Sequence, residues 1–239
     1  MAKQRGPVAS TFSGRVGNVV GAKLKGGEFV TRSYQPSVKN PRTLRQRVSR
    51  LRMATAAQLA AGLAPAILAG YGKAAGSTRM YPRNMFVRDL VKMDGMKALT
   101  VEDEVANVNY DSLQLSERIG ISAVPVIGTP SFENPSSVEL TVTGQAVVDV
   151  LPAGKMGLVT VVYNPGKEAC VVDMVDAPAE GEKTVKVKVP TSWSGDGVHV
   201  YAFYKWVPES GNDVATDAEP WKYPAETGAT VYAGTGSIG

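Results

Sequence analysis

The chain has 239 residues, 44% of them hydrophobic, which is enough to bury the core of one large domain or two of ordinary size. No apolar stretch reaches the roughly 18 to 20 residues that a membrane-spanning helix needs, and no apolar secretory segment stands near the N-terminal end, so no membrane partner is expected. The net charge of +4 conceals an uneven distribution of charge along the chain. Residues 1–100 carry 18 Lys and Arg against 3 Asp and Glu, whereas residues 101–239 carry 8 against 19. This distribution predicts either a polyanionic partner for the basic part or association between copies.

The N-terminal 35 residues are expected to form a basic arm and a β-hairpin. Residues 1–15 are polar and basic, and we expect them to become ordered on a partner. In residues 15–34, a β-prone segment at 16–24 and another at 28–34 flank Gly26 and Gly27, which predict the turn. A phosphate-binding loop is not expected here, because the glycines are not followed by Lys-Ser or Lys-Thr.

Residues 36–100 are predicted to be helical, and their first helix has the clearest signal in the chain. Asn40 suits the N-cap and Pro41 the first helical position. Pro65 is expected to end or kink the helix, because it removes a helical hydrogen bond. One apolar stripe is predicted from positions three and four residues apart, namely Leu44, Val48, Leu51, Thr55, Leu59 and Leu63.

Two shorter helices are predicted after Pro65. Residues 66–71 are expected to form one, ended by Gly72 and Gly76. Residues 83–93 are expected to form the other, with Phe86, Leu90 and Met93 on one face.

The densest positive charge lies in the first turns of the first predicted helix. Guanidinium groups keep their charge and offer a planar fork to phosphate or carboxylate. Three interpretations stay open: a nucleic-acid backbone, a protein surface of another copy, or a solvated face. Base stacking is not expected, because no aromatic residues interleave the arginines. The predicted contact residues are Arg42, Arg45, Arg47, Arg50 and Arg52, together with Arg15, Lys23 and Lys25 of the hairpin.

Residues 101–239 are predicted to form an acidic β-sandwich. Short alternating segments with turn signals between them favour two packed sheets, most simply immunoglobulin-like but without a disulfide across the sheets. The predicted fold class is therefore α+β: a hairpin and helical region followed by an immunoglobulin-like β-sandwich. The predicted strands are 108–115, 138–143, 158–163, 170–174, 184–189, 198–206 and 230–233.

Reactive side chains are scarce, and no enzyme activity or cofactor is expected. Cys170 is the only cysteine and lies in an apolar run, which predicts a buried structural thiol. His199 is the only histidine, so a zinc site of the usual kind is not expected, and no nucleophile motif accompanies it. A solvated acidic edge is favoured over a calcium site for one carboxylate group, Asp173, Asp176, Glu180 and Glu182.

Four strings carry a family resemblance: FSGRVGNVVGAKLKGG, PSVKNPRTLRQR, VVYNPGKEACVV and VPTSWSGDGVHVYAFY. The chain resembles an uncharacterised Bacteroidota-type family, known as a domain of unknown function, that occurs in bacteria and is expected in their phages. The resemblance implies a basic N-terminal hairpin, a helical middle and a C-terminal β domain, and it implies no catalytic residue. Leu24 stands where the family's hairpin frequently has an aromatic residue.

These features predict a non-enzymatic structural or assembly protein, most simply a capsid or capsid-associated component of a bacteriophage virion. Its expected partners are copies of itself, other virion proteins and, non-specifically, packaged nucleic acid. One alternative is a host protein that binds nucleic-acid phosphates without sequence preference. Another is a surface adhesive module with an immunoglobulin-like domain. The expected location is the virion or the host cytoplasm.

Overall fold

The computed structural model describes residues 2–3, 13–24, 29–37, 42–77, 80–92, 108–118, 120–144, 154–208 and 226–239. The chain divides into two compact units, Met1–Arg47 and Val48–Gly239, and the division falls within the first helix. The predicted α+β class is confirmed by helices and antiparallel sheets in the described residues. The predicted domain limits, after residues 35 and 100, stay predictions.

The first unit contains a four-stranded antiparallel sheet with the strand order β1-β4-β3-β2. The predicted hairpin is formed by β3 and β4, with Val19 opposite Ser33 and Lys23 opposite Phe29. The single strand predicted over 16–24 is wrong: it breaks at Gly17, whose φ of +57° lies in the region that favours glycine. The predicted turn at 26–27 lies outside the described residues. The strands are β1 Ala2–Lys3, β2 Gly14–Val16, β3 Val19–Lys23 and β4 Phe29–Ser33.

Three helices follow in the described residues: α1 Leu44–Gly62, α2 Ala64–Ser77 and α3 Pro82–Lys92. The first begins after Thr43, whose carbonyl oxygen accepts from the amides of Gln46 and Arg47, each at 3.0 Å. The Thr43 hydroxyl also accepts from the Gln46 amide at 3.4 Å. The observed cap is therefore Thr43. The predicted cap and first position, residues 40 and 41, lie outside the described residues.

The predicted break before Pro65 is confirmed, because α1 and α2 meet at a bend of 93°. The prediction that Gly72 and Gly76 end the second helix is wrong, since α2 continues to Ser77. Burial of Tyr71 and Ala75 holds the helix across the first of these glycines, and tertiary packing outweighs propensity.

The third helix matches its prediction closely. Met85, Phe86 and Leu90 are buried on one face of α3, whereas residue 93 lies outside the described residues. In the described part of the chain, no single helix has the length and apolar character to cross a membrane. The bent pair Leu44–Gly62 and Ala64–Lys73 passes that test of length and composition only when it is counted together.

The second unit contains two antiparallel sheets. The central sheet has the order β12-β11-β8-β9, and the outer sheet has the order β10-β7-β5, with β6 also paired to β7. Six predicted strands are confirmed, but the strand predicted at 108–115 is wrong. Residues Tyr110–Ser112 form a 3-10 helix instead, capped by the Asn109 side chain, which accepts from the Asp111 amide at 3.2 Å. The strands are β5 Val126–Ile127, β6 Ser131–Asn134, β7 Ser137–Thr143, β8 Gly154–Asn164, β9 Ala169–Asp176, β10 Glu182–Lys188, β11 Gly197–Pro208 and β12 Val231–Ser237.

The central sheet is buried on both faces. Val159, Val161 and Phe203 pack with the helices on one face. Leu158 and Val162 pack with the outer sheet on the other. Two-sided burial explains why β8 is an almost continuous apolar run, whereas β10 alternates, with Val185 and Val187 inward and Lys186 and Lys188 outward. The described residues of the second unit thus form three layers: helices, central sheet and outer sheet.

Candidate interaction surface on the basic helix

The two halves of α1 differ in burial. The C-terminal half is core, since Ala56, Leu59 and Ala60 are buried at helical spacing, and Leu63, just after the helix, is buried with them. In the N-terminal half, Leu44 is 60% exposed. The predicted six-residue stripe is therefore buried only at its last two positions, and its first four positions, Leu44, Val48, Leu51 and Thr55, are exposed or half-buried.

The five predicted arginines are not equivalent. Arg42, Arg45, Arg47 and Arg50 are exposed. Arg52 is half-buried and its Nε atom is enclosed, because it lies one turn before Ala56 on the side that enters the core. We call residues 42–52 the basic segment. It presents exposed guanidinium groups beside a partly exposed apolar stripe.

The position of the charges along α1 is electrostatically unfavourable for an isolated helix. Arg45 and Arg47 lie in the first turn, which contains no acidic residue. The N-terminus of a helix carries a partial positive charge, so each cation there costs about 0.3 to 1 kcal/mol at the surface. An anionic group placed at this end would interact favourably with both the helix dipole and the guanidinium groups. The arrangement therefore suits contact with phosphate or carboxylate.

The cations of the first sheet lie on both of its faces. Arg15 is opposite Val20, which is opposite Arg32, so these two arginines share one face. The Arg15 guanidinium lies 3.5 Å from the centre of the Tyr34 ring, and its Nε donates to the Gly17 carbonyl at 3.0 Å.

The other predicted cation of this sheet points the opposite way. Lys23 lies three residues after Val20 along β3, so strand alternation turns it to the face opposite Val20 and Arg32. Its Nζ lies 5.9 Å from the Phe29 ring centre. Lys25 lies outside the described residues. The sequence analysis missed Arg32. Once the pairing register of the strands is known, the alternation of side chains places Arg32 on the same face as Arg15.

His199 belongs to an aromatic cluster. Its ring stacks on Tyr110 with centroids 4.2 Å apart, and its Nδ1 lies 2.9 Å from the Tyr232 hydroxyl oxygen. Tyr201 donates to the Tyr110 carbonyl at 3.0 Å. Burial lowers the pKa of His199, which favours the neutral ring. These contacts fasten the 3-10 helix to the central sheet.

Lys205 is a buried cation that sequence reasoning missed. Its side chain is fully buried, and its Nζ donates to the Ala69 carbonyl of α2 at 2.9 Å. Burial lowers its pKa to about 7. Strand alternation puts Lys205 on the same face as Tyr201 and Phe203, which the helices cover. The amine therefore ties α2 to the central sheet.

The remaining candidate side chains offer neither a reactive nucleophile nor a grouped set of metal ligands among the described residues. Cys170 is half-buried rather than fully buried as predicted, and burial raises the pKa of its thiol to about 11, which keeps it a poor nucleophile. Among the described residues, no three His, Cys, Asp or Glu side chains are grouped to hold a metal ion, and this includes the acidic residues at 173–182.

These features define an α+β protein with a basic N-terminal part and an acidic part made of two packed sheets. The chain belongs to a family of unknown function, DUF6266, whose model matches residues 11–218. The resemblance to an uncharacterised domain family is thus confirmed. No curated protein and no solved structure matches the chain.

Proposed function

We propose that this protein is a non-enzymatic assembly protein of a bacteriophage virion, and that it joins neighbouring copies through the basic segment. One observation carries the proposal: the basic segment leaves Leu44 60% exposed beside four exposed arginines, three in the first half of α1 and one just before it, while the second half of the helix is core. A partly exposed apolar stripe flanked by charge is typical of a surface that a protein partner covers.

The mixed character of the segment favours protein over nucleic acid as its partner. A phosphate backbone would neutralise the arginines but would leave Leu44, Val48 and Leu51 in water. A second copy offers both acidic groups for the arginines and apolar surface for the leucines and valine. Its residues 101–239 carry 8 basic and 19 acidic residues on a compact apolar core. The predicted homo-oligomer follows from this argument.

The virion setting rests on analogy with coat proteins, whose inner surfaces tolerate phosphate while a compact body forms the shell. In this proposal the two packed sheets serve as an immunoglobulin-like body. The phage would infect bacteria of the Bacteroidota type that the family resemblance suggests.

Sedimentation velocity from dilute to concentrated solution, at low and at high salt, tests self-association. We expect reversible oligomers that dissociate as salt screens the arginines. Replacement of Arg45 and Arg47 by Glu should leave a monomer. The matched control reverses two exposed lysines of the second unit, Lys155→Glu and Lys188→Glu, and should still associate. A wild-type chain that stays monomeric throughout would overturn the proposal.

A second candidate function is non-specific binding to a nucleic-acid backbone, which the cations at the helix N-terminus favour. Fluorescence anisotropy with a labelled duplex would then show affinity falling steeply with salt. The slope should flatten in the Arg45→Glu/Arg47→Glu variant and stay unchanged in the lysine control. Equal binding by the wild type and both variants would exclude the helix as the binding surface.

A further inference from the structure

The outer sheet has one face in the core and one face turned outward. Val138, Leu140 and Val142 of β7 point inward, with Val185 and Val187 of β10 beside them. Residues of the opposite parity form the outward face. Since opposite residues share a face, the cross-strand pairs Glu182–Thr143 and Thr143–Val126 make one outward row across β10, β7 and β5.

One end of this outward face is apolar and acidic. Val126 is 52% exposed, and Val124, just before β5, is 38% exposed. The loop before β10 carries Glu180 and β10 begins at Glu182, and both carboxylates are exposed. This loop reaches the end of β7, where the amide of Gly144 donates to the carbonyl of Gly181. We call Val124, Val126, Thr143, Glu180 and Glu182 the outer patch.

We propose that the outer patch of a second copy is the surface that receives the basic segment. This inference rests on the proposed function and names the partner surface. The two surfaces match in chemistry, since each sets exposed aliphatic side chains beside charge, guanidinium on α1 and carboxylate on the sheet. They also match in size. Leu44 to Leu51 spans about 10 Å of helix, and Val126 to Glu182 crosses two strand spacings, also about 10 Å.

The contact has consequences for assembly. The basic segment and the outer patch are different surfaces, so the interface is heterologous, and each copy keeps one of each to offer to the next. Such contacts build rings or open arrays rather than a closed dimer. One helix half laid on three strands covers less than the roughly 1,000 Å² of a stable isolated interface, so each contact is weak and assembly depends on concentration and salt.

A charge-swap experiment by sedimentation velocity, on nuclease-treated protein at low salt, tests the pairing. Glu182→Lys and Arg47→Glu should each weaken self-association by at least about tenfold, because each puts like charges together. Val126→Ser should weaken it less. Glu133→Lys reverses an exposed carboxylate on β6, outside the outer patch, and should associate like the wild type.

Mixing the two charge variants gives the decisive result. Every contact between Arg47→Glu and Glu182→Lys chains pairs opposite charges, so the mixture should associate although neither variant does so alone. If Arg47→Glu loses association while Glu182→Lys and Val126→Ser keep it, the basic segment binds elsewhere: the outer patch is excluded and the proposed function stands. If no variant changes association, both are overturned. Circular dichroism melts confirm that each variant is folded.

Discussion

The two halves of α1 form one continuous helix but have opposite relations to the rest of the protein. From Ala56 onward the helix face is small and apolar, and it is buried against the central sheet. Before Ala56 the same helix exposes three arginines, Arg45, Arg47 and Arg50, and leaves its apolar stripe partly in water. The comparison shows that helical periodicity alone does not identify core. The first half keeps the pattern of a buried helix, yet its apolar positions stay exposed or half-buried.

The largest expected difference between the halves is in packing. Leu59→Ala should lower the free energy of unfolding by about 2 to 5 kcal/mol, because it opens a cavity in the core. Leu44→Ala removes a largely exposed side chain and should change it by less than about 0.5 kcal/mol. Chemical denaturation of both variants measures the contrast. Similar losses in the two variants would show that the first half is also core.

The next largest effect on stability is expected in α2, the helix that follows the buried half of α1, because α2 packs closely against residue 115. A Cβ on Gly70 would lie in severe overlap with the Leu115 carbonyl oxygen. Helix propensity alone would make Gly70→Ala stabilising by about 1 kcal/mol. We expect overpacking to reverse that sign and cost about 1 to 3 kcal/mol. Gly197→Ala is the control, since no atom lies within 4 Å of its Cβ position. A stabilised Gly70→Ala variant would contradict the observed approach of α2 to residue 115.

A smaller effect concerns the buried amine beneath α2. Lys205 has a pKa of about 7 in the folded protein, well below its ordinary value of about 10.5. Between these values the unfolded chain binds a proton that the folded chain does not. Stability should therefore rise as pH increases from about 7 to about 10.5, and the penalty for charging Lys205 is complete below pH 7.

Unfolding measured across this pH range checks the effect. Lys205→Met should remove its part of the upward slope, whereas Lys188→Met, which replaces an exposed strand lysine, should keep it. An unchanged slope in Lys205→Met would show that the amine stays protonated in the folded state.

The smallest effect on stability is expected in the basic segment itself. Arg47→Glu replaces a cation by an anion at the positive end of α1 and should stabilise the monomer slightly, by about 0.3 to 1 kcal/mol at low salt. The same variant should lose self-association. Thermal melts at low and high salt measure the gain, which salt should abolish. A marked loss of stability would mean that the Arg47 guanidinium makes a stabilising contact in the monomer.

Much of the fold could be predicted because some elements have one buried face or a clear stop. The strand β10 alternates valine and lysine, and Pro65 breaks the helices where expected. Tertiary contacts decided the rest. The glycines of α2 did not end it, and the short strands β5 and β6 have too few residues for a pattern. Lys205 shares the parity of Tyr201, but only the docked helices make that face a core.

The candidate surface was predicted in part. The cluster of arginines was visible in the sequence, but the exposure of Leu44 and the enclosure of Arg52 were not, because one periodic pattern runs through both halves of α1. The outer patch could not be anticipated. Its members come from residues 124 to 182 and meet only through the pairing of β5, β7 and β10.

Hydroxyl-radical footprinting, read by mass spectrometry in dilute and in concentrated protein, tests the central claim most directly. It compares side-chain accessibility in the two halves of α1 within one molecule. We predict that oxidation of Leu44, Val48 and Leu51 falls as the copies associate, while Leu59 stays protected at every concentration. Oxidation of Leu44 that does not change between monomer and assembly would contradict the claim that the basic segment is the contact surface.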